Sequence, residues 1–437
     1  MKLLIRGGRV IDPENNIDGI LDVLIENNKI KAIGRDIPVN GLRDIINAEG
    51  KIVSPGFIDI HVHLRDPGYE YKEDIITGSK SAAAGGFTTI CCMPNTDPVI
   101  HDGVVAKYVL NRSREVGLVD ILPIGSITRN LEGEELSEMA ELAEAGCVAF
   151  SDDGNPVMRS DVMRHALDYV RMLNLPIFSH CEDLNLSRNG LVHEGYYSTL
   201  YGLQGIPAQA EDVMVARDVG LATLTGARLH VCHISTIGSL QIIKEAKTAG
   251  AHVTCEVTPH HLTLTGEIVG DYDPDTKVNP PLRTEAHVKA LVDALNKGII
   301  DCIATDHAPH NIECKDCEYS EASTGISGLE TAVPVIMDKL VNVGLLSITD
   351  MIRLFTVGPC RVLGIDPVRL SPGYTADITI IDPNEVRRVN PATFYSKGKN
   401  TPFKGMELRG WPWMTIKGGR IIAREGHLVQ SMSLGSQ

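Results

Sequence analysis

The chain has 437 residues, 43% of them hydrophobic and 22% charged, and a formal net charge of −15. That length suits a large barrel with an accessory domain better than one small domain. The acidic balance argues against a nucleic-acid partner, which needs basic patches, and no stretch reaches the roughly 18–20 apolar residues of a membrane span.

The opening MKLLIRGGRVIDP has too short an apolar run for a secretion signal, so a cytoplasmic location is expected. The first fifty residues are short β-like runs (LLIRGGRVID, DVLIENNKIKAIG) broken by glycine turns. ADITIID and MTIKGGRIIAREG repeat that character near the other end. The two ends are therefore expected to build one small accessory β-sandwich domain, residues 1–54 with 366–437, and SMSLGSQ a frayed tail. The middle, residues 55–365, alternates strand and helix. Apolar strand-like runs fall at 57–63, 88–93, 120–125, 147–151, 176–180, 229–233, 252–257 and 301–305, and helix-like stretches at 134–145, 160–173 and 284–297. Eight such alternations predict an α/β fold, a (β/α)8 TIM barrel. A doubly wound open sheet would carry a glycine-rich phosphate loop after its first strand, where this chain has DIHVHLRDPG. Gly85 and Gly86 follow a helix pattern and read as its stop.

Six of the ten cysteines, Cys91, Cys92, Cys147, Cys232, Cys255 and Cys302, lie in apolar strand-like runs and read as buried reduced thiols. Cys314 and Cys317 form a lone C-x-x-C in a polar stretch and read as a surface loop.

In such barrels the chemistry gathers at the C-terminal ends of the strands. Here the first run ends in His61 and His63, the fourth runs into Asp152 and Asp153, the fifth ends in His180, the sixth in His233 and the eighth in Asp306. His61 and His63, two apart on a strand, point to the same side. Four imidazoles and a carboxylate suit zinc or a similar borderline metal. A pair of metals needs a bridge, and the lysine carbamate used by some barrel hydrolases is excluded, since no lysine lies between Lys107 and Lys244. Asp153 is the natural substitute. Zinc is thus the expected cofactor, one or two ions per chain, two if Asp153 and a hydroxide bridge them.

GFIDIHVHLRDPG, MPNT, FSDDG, SHCED, HVCHIS, EVTPHHL, NPPLR and TDHAPH follow one another as in the bacterial and archaeal dihydroorotases, which the chain resembles over essentially its whole length. The resemblance implies reversible cyclisation of N-carbamoyl-L-aspartate to (S)-dihydroorotate, a step of pyrimidine biosynthesis. It places the metal ligands on His61, His63, Asp153, His180, His233 and Asp306, with Asp306 also the general acid/base toward the bridging hydroxide. It places substrate contacts on His63, Arg65, Asn95, Asn279 and His310, with Thr324 and Gly325 on a loop over the site. Arg65, two residues after His63, shares its rim and suits a bidentate grip on a carboxylate. Plainer readings exist: Arg65 as a surface charge, Asn95 and Asn279 as turn residues beside proline, His310 as a loop histidine. His230, His260, His261 and His307 are expected near the ligands as orienters. The remaining histidines, His101, His165, His193, His252, His287 and His427, are read as surface or core residues.

The nearest alternative is another cyclic amidohydrolase, a dihydropyrimidinase, hydantoinase or allantoinase. These bridge their metals with a carbamylated lysine, and Arg65 favours a carboxylate-bearing substrate. A different class is a non-catalytic scaffold binding aspartate transcarbamoylase, which would be free to lose ligands, whereas all six are present. The expected partner is the small-molecule substrate, with a homodimer and an aspartate transcarbamoylase complex left open.

Overall fold

Each of the eight central runs contains a mostly buried parallel strand in the computed structural model, which describes residues 2–38 and 44–429. They are Phe57–Val62, Phe87–Cys92, Asp120–Pro123, Phe150–Ser151, Ile177–Ser179, Leu229–Val231, Val253–Val257 and Cys302–Ile303. The first three pair as one sheet and the last five as another. Parallel bridges between Gly125 and Phe150 and between Val62 and His307 join the two groups into a closed ring. The ring is a (β/α)8 barrel. Its interior is packed, not open: Ile58, Ile60, Cys91, Met93, Phe178, Cys232 and Cys302 form one buried cluster. Chemistry is thereby confined to the rim where the strands end.

Helices follow the strands on the outside. Asp74 caps Ile75–Ala84 by accepting from Thr77 N, and the helix stops at Gly85, where an added Cβ would lie 2.2 Å from the Leu329 carbonyl oxygen. Ser160–Leu173 and Glu285–Asn296 match the helical stretches expected there. The stretch 134–145 is helical only as Met139–Ala145. Ahead of it Arg129 N donates to Glu135 O at 2.8 Å and Leu136 bridges Thr128, which holds 134–138 in a different backbone conformation.

The two ends of the chain form one nine-stranded sheet. Lys2–Asp12, Ile17–Glu26, Lys29–Gly34, Asp44–Asn47 and Ile52–Pro55 come from the N-terminal part, and Ile378–Arg388, Glu407–Lys417, Arg420–Arg424 and His427–Leu428 from the C-terminal part. Ile52–Pro55 pairs antiparallel with Ile378–Arg388 and so joins the two halves. The sheet curls: Lys29, on its far edge, bridges Thr375 just before its central strand. Leu3, Ile5, Val23, Ile378, Trp413 and Ile416 share the core this curl encloses. Gly56 alone separates the last N-terminal strand of this sheet from the first barrel strand. Thr379 ties the two bodies again, accepting from Phe57 N at 3.2 Å and donating to Gly86 O at 2.6 Å.

All ten cysteines are free; eight are buried, Cys314 is half-buried and Cys317 exposed. Among the described residues, no helix is long and apolar enough to cross a membrane. The tail SMSLGSQ lies outside the described residues.

Candidate metal centre and active site

His61 and His63 leave the first barrel strand on the same side, and four further strand ends converge on them. His61 Nε2 lies 3.4 Å from Asp153 Oδ2 and 3.5 Å from Asp306 Oδ1. His63 Nε2 lies 3.3 Å and 3.1 Å from the same two oxygens. The other Asp153 oxygen, Oδ1, is 3.5 Å from His180 Nδ1 and 3.3 Å from His233 Nε2, and those two nitrogens are 3.0 Å apart. Two ligand groups result, His61–His63–Asp153–Asp306 and Asp153–His180–His233, each with its donor atoms within 4.8 Å of one another. Asp153 belongs to both, one oxygen to each.

These residues fit a metal. His61 Nε2 is buried and has no hydrogen-bond partner. Ligands about 2.0–2.1 Å from a shared tetrahedral centre stand about 3.3 Å apart, close to the separations here. Electrostatics agree. Burial opposes charge on His61, yet Asp153, Glu256 and Asp306 hold its proton affinity well above the usual imidazole range. His180, also penalised by burial, is raised by Asp153 and Glu182 to about 10. Asp306, despite burial, is held below the carboxylate range by His61 and His63, and Asp153 well below it by His61, His180 and His233. Two buried carboxylates demand positive charge at their centre, and a bound cation would meet that demand in place of protons. The donor set indicates a metal cofactor.

The ligands are oriented from behind. His61 Nδ1 donates to Glu256 Oε1 at 2.5 Å, which leaves Nε2 for the centre. His230 Nε2 donates to Glu256 Oε2 at 3.1 Å, and these partners hold Glu256 near pH 2 against the effect of its burial. His63 Nδ1 donates to Asn95 Oδ1 at 2.8 Å. His307 Nε2 donates to Glu73 Oε2 at 3.3 Å, and His261 Nε2 to Pro280 O at 2.9 Å, beside Asn279. His260 is buried with neither ring nitrogen partnered. Asp152, beside Asp153, turns away to accept from Ile127 N and Thr128 N and so serves the backbone.

Above this cluster lies a cavity of ≈ 320 Å³. His63, Arg65, Asn95, Asn279, His310, Thr324 and Gly325 all line it, as do Asp153, His180, His233 and Asp306; His61 lies beneath. Arg65 Nε is buried and unpartnered. Arg65, His233 and Asp306 hold φ of 60°, 32° and 49°, a strained conformation for residues other than glycine. His310 Nε2 donates to Thr324 O at 2.9 Å, which leaves Nδ1 buried and bare. Burial, then Arg65, Lys315 and Lys72, push this ring down to about 2, so it is neutral.

Three contributors were assigned no role from the sequence, although Glu182 and Glu256 lie within SHCED and EVTPHHL. Glu256 is a lone carboxylate inside the apolar run HVTCEV, which is the signal that could have found it. Glu182 follows His180 by two residues. Asn400, from the segment before the terminal sheet's last long strand, accepts from His310 N at 3.1 Å and donates to Gly325 O at 2.9 Å, and nothing local in the sequence places it there.

Two family profiles match the chain: one described as Dihydro-orotase-like over residues 50–239, one as the amidohydrolase family over residues 226–423. The dihydroorotase of Pelotomaculum thermopropionicum is 52% identical over 425 residues, covering 97% of this chain and 99% of that protein. The dihydroorotase of Geobacter metallireducens is 50% identical over 422 residues, 97% and 99% of the two chains. Among solved structures, L-hydantoinase (dihydropyrimidinase) from Arthrobacter aurescens superposes with a TM-score of 0.87 at 26% identity, covering 98% of this chain and 97% of that one. Dihydropyrimidinase from Brevibacillus agri shares the fold, with a TM-score of 0.84, 24% identity and coverage of 98% and 96%. With half its residues shared over nearly its full length, the chain belongs to the dihydroorotase family of amidohydrolases.

Proposed function

We propose that this protein is a zinc-dependent dihydroorotase, interconverting N-carbamoyl-L-aspartate and (S)-dihydroorotate, with two zinc ions per chain. The observation that carries the substrate reading is Arg65, a guanidinium with a buried, unpartnered Nε in the wall of a cavity whose floor is the histidine–aspartate cluster. A guanidinium with a buried, unpartnered N–H there calls for an anionic ligand. The substrate carboxylate meets that need, and a neutral ring such as hydantoin does not.

His61, His63, Asp153, His180, His233 and Asp306 would hold the metal. When bound, it supplies Lewis acidity and lowers the pKa of water. The chain's own groups do the rest. Arg65 grips the carboxylate through charge-assisted hydrogen bonds, and the Asn95 amide, whose oxygen is taken by His63, is left to donate to the same group. His310, held neutral with its Nε2 proton on Thr324 O, lines the same cavity and shapes it around the substrate. Asp306 takes the proton as water attacks the ring amide carbonyl, and returns it to the ring nitrogen as the C–N bond breaks. In the cyclising direction Asp306 removes the proton from the ureido nitrogen as that nitrogen attacks the carboxyl carbon, and delivers it to the carboxyl oxygen, which departs as water when the C–O bond breaks.

Turnover of dihydroorotate against dihydrouracil, hydantoin and allantoin tests this reading, together with zinc content by mass spectrometry. The expected result is a kcat/KM for dihydroorotate higher by on the order of 10²-fold or more. Preference for any neutral ring would overturn it.

A further inference from the structure

Glu182 leaves the fifth barrel strand two residues after His180 and does not line the cavity. Its side chain is mostly buried, 14% exposed. Oε2 accepts from His180 Nε2 at 3.0 Å and from Asn279 Nδ2 at 2.7 Å. An ionised carboxylate has no proton to give, so both neighbours must donate to it.

Two orientations follow. The His180 proton sits on Nε2, so the lone pair is on Nδ1, the atom 3.5 Å from Asp153 Oδ1. The Asn279 amide turns its NH2 toward Glu182 and its carbonyl oxygen away. Among the described residues no hydrogen bond reaches that oxygen, and Asn279 lines the cavity. Asn95 is set the opposite way: its oxygen accepts from His63 Nδ1, which leaves NH2 free. The cavity thus has one amide fixed as a donor and one fixed as an acceptor. A carboxylate needs donors. Only an N–H of the ring or ureido group can use the acceptor.

We propose that Glu182 is a positioning residue that fixes the tautomer of His180 for metal binding and the amide of Asn279 as an acceptor for a substrate N–H. The first half stands on the metal-ligand geometry alone; the second rests on the dihydroorotase reading.

The test uses Glu182→Ala, Glu182→Gln, Asn279→Ala and the Glu182→Ala/Asn279→Ala pair. Zinc affinity is read by competition with a chromophoric chelator, which needs no substrate. Glu182→Ala is expected to weaken it about 10- to 100-fold. Glu182→Gln, whose carbonyl oxygen can accept both hydrogen bonds, restores it to within about threefold of wild type. At saturating zinc, Glu182→Ala raises KM for dihydroorotate about tenfold, and the double variant has the KM of Asn279→Ala, because one effect acts through the other. Unchanged zinc affinity in Glu182→Ala, or no rescue by Gln, overturns the His180 half. Additive KM effects overturn the Asn279 half. Failure of the wild type to turn over dihydroorotate would sink the proposed function and leave the chelator result standing.

Discussion

Asp153 presents each of its oxygens to a different set of imidazoles, Oδ2 to His61 and His63 and Oδ1 to His180 and His233. Asp153→Ala should therefore lose metal from both groups, and zinc per chain should fall below one by mass spectrometry; a variant that keeps two would show that Asp153 bridges nothing. In the proposed function Arg65 acts on the substrate and not on the metal. Arg65→Ala should raise KM for dihydroorotate about 10²-fold, the loss of one or two hydrogen bonds to a charged group, with zinc content unchanged. A wild-type KM would remove the carboxylate assignment. The ligands were legible in the sequence because each ends an apolar run, where a histidine or aspartate stands out. Glu182 and Asn400 were not, since a carboxylate or an amide near a turn has many ordinary uses and only three-dimensional contact separates them.

At the level of elements, the eight strands could be read because strands buried on both faces are largely apolar runs, and FIDIHVH departs from that only where Asp59, His61 and His63 stand. The start of the 134–145 helix could not. EELSEMAELAEA is helix-forming throughout, but the backbone pairing of Arg129 with Glu135 takes the first residues for another purpose. A similar long-range tie surrounds Glu330, just ahead of Ala332–Ile336. Its carboxyl accepts from Ser81 Oγ at 3.0 Å, Tyr395 N at 2.8 Å and Ser396 N at 3.1 Å, linking the first outer helix to the C-terminal segment. Burial pushes this group up to about 7, only partly offset by those bonds. A carboxyl raised in the folded state holds its proton where the unfolded chain has released it. Stability is then lost as pH rises from the unfolded value of about 4.3 through 7. Glu330→Gln removes that loss. Its Tm relative to wild type should climb between pH 5 and pH 8, corresponding to at most about 3 kcal/mol. A pH-independent difference would show that Glu330 does not titrate there.

For the molecule as a whole, the candidate metal centre links five strand ends of one ring, so an ion bound there would stabilise the entire barrel. Removing it with a chelator at neutral pH should lower Tm by roughly 5 °C, the shift expected for several kcal/mol of ligand linkage in a long chain. An unchanged Tm in calorimetry would mean that the six side chains hold no ion in solution. The terminal sheet is fastened to this ring with almost no slack. Gly56 is the single residue between Ile52–Pro55 and the strand that carries His61, and a Cβ added there would lie 2.2 Å from Thr88 Oγ1. A junction so short transmits displacement without damping. A displacement of that outer sheet would be carried into the backbone beneath the imidazole pair.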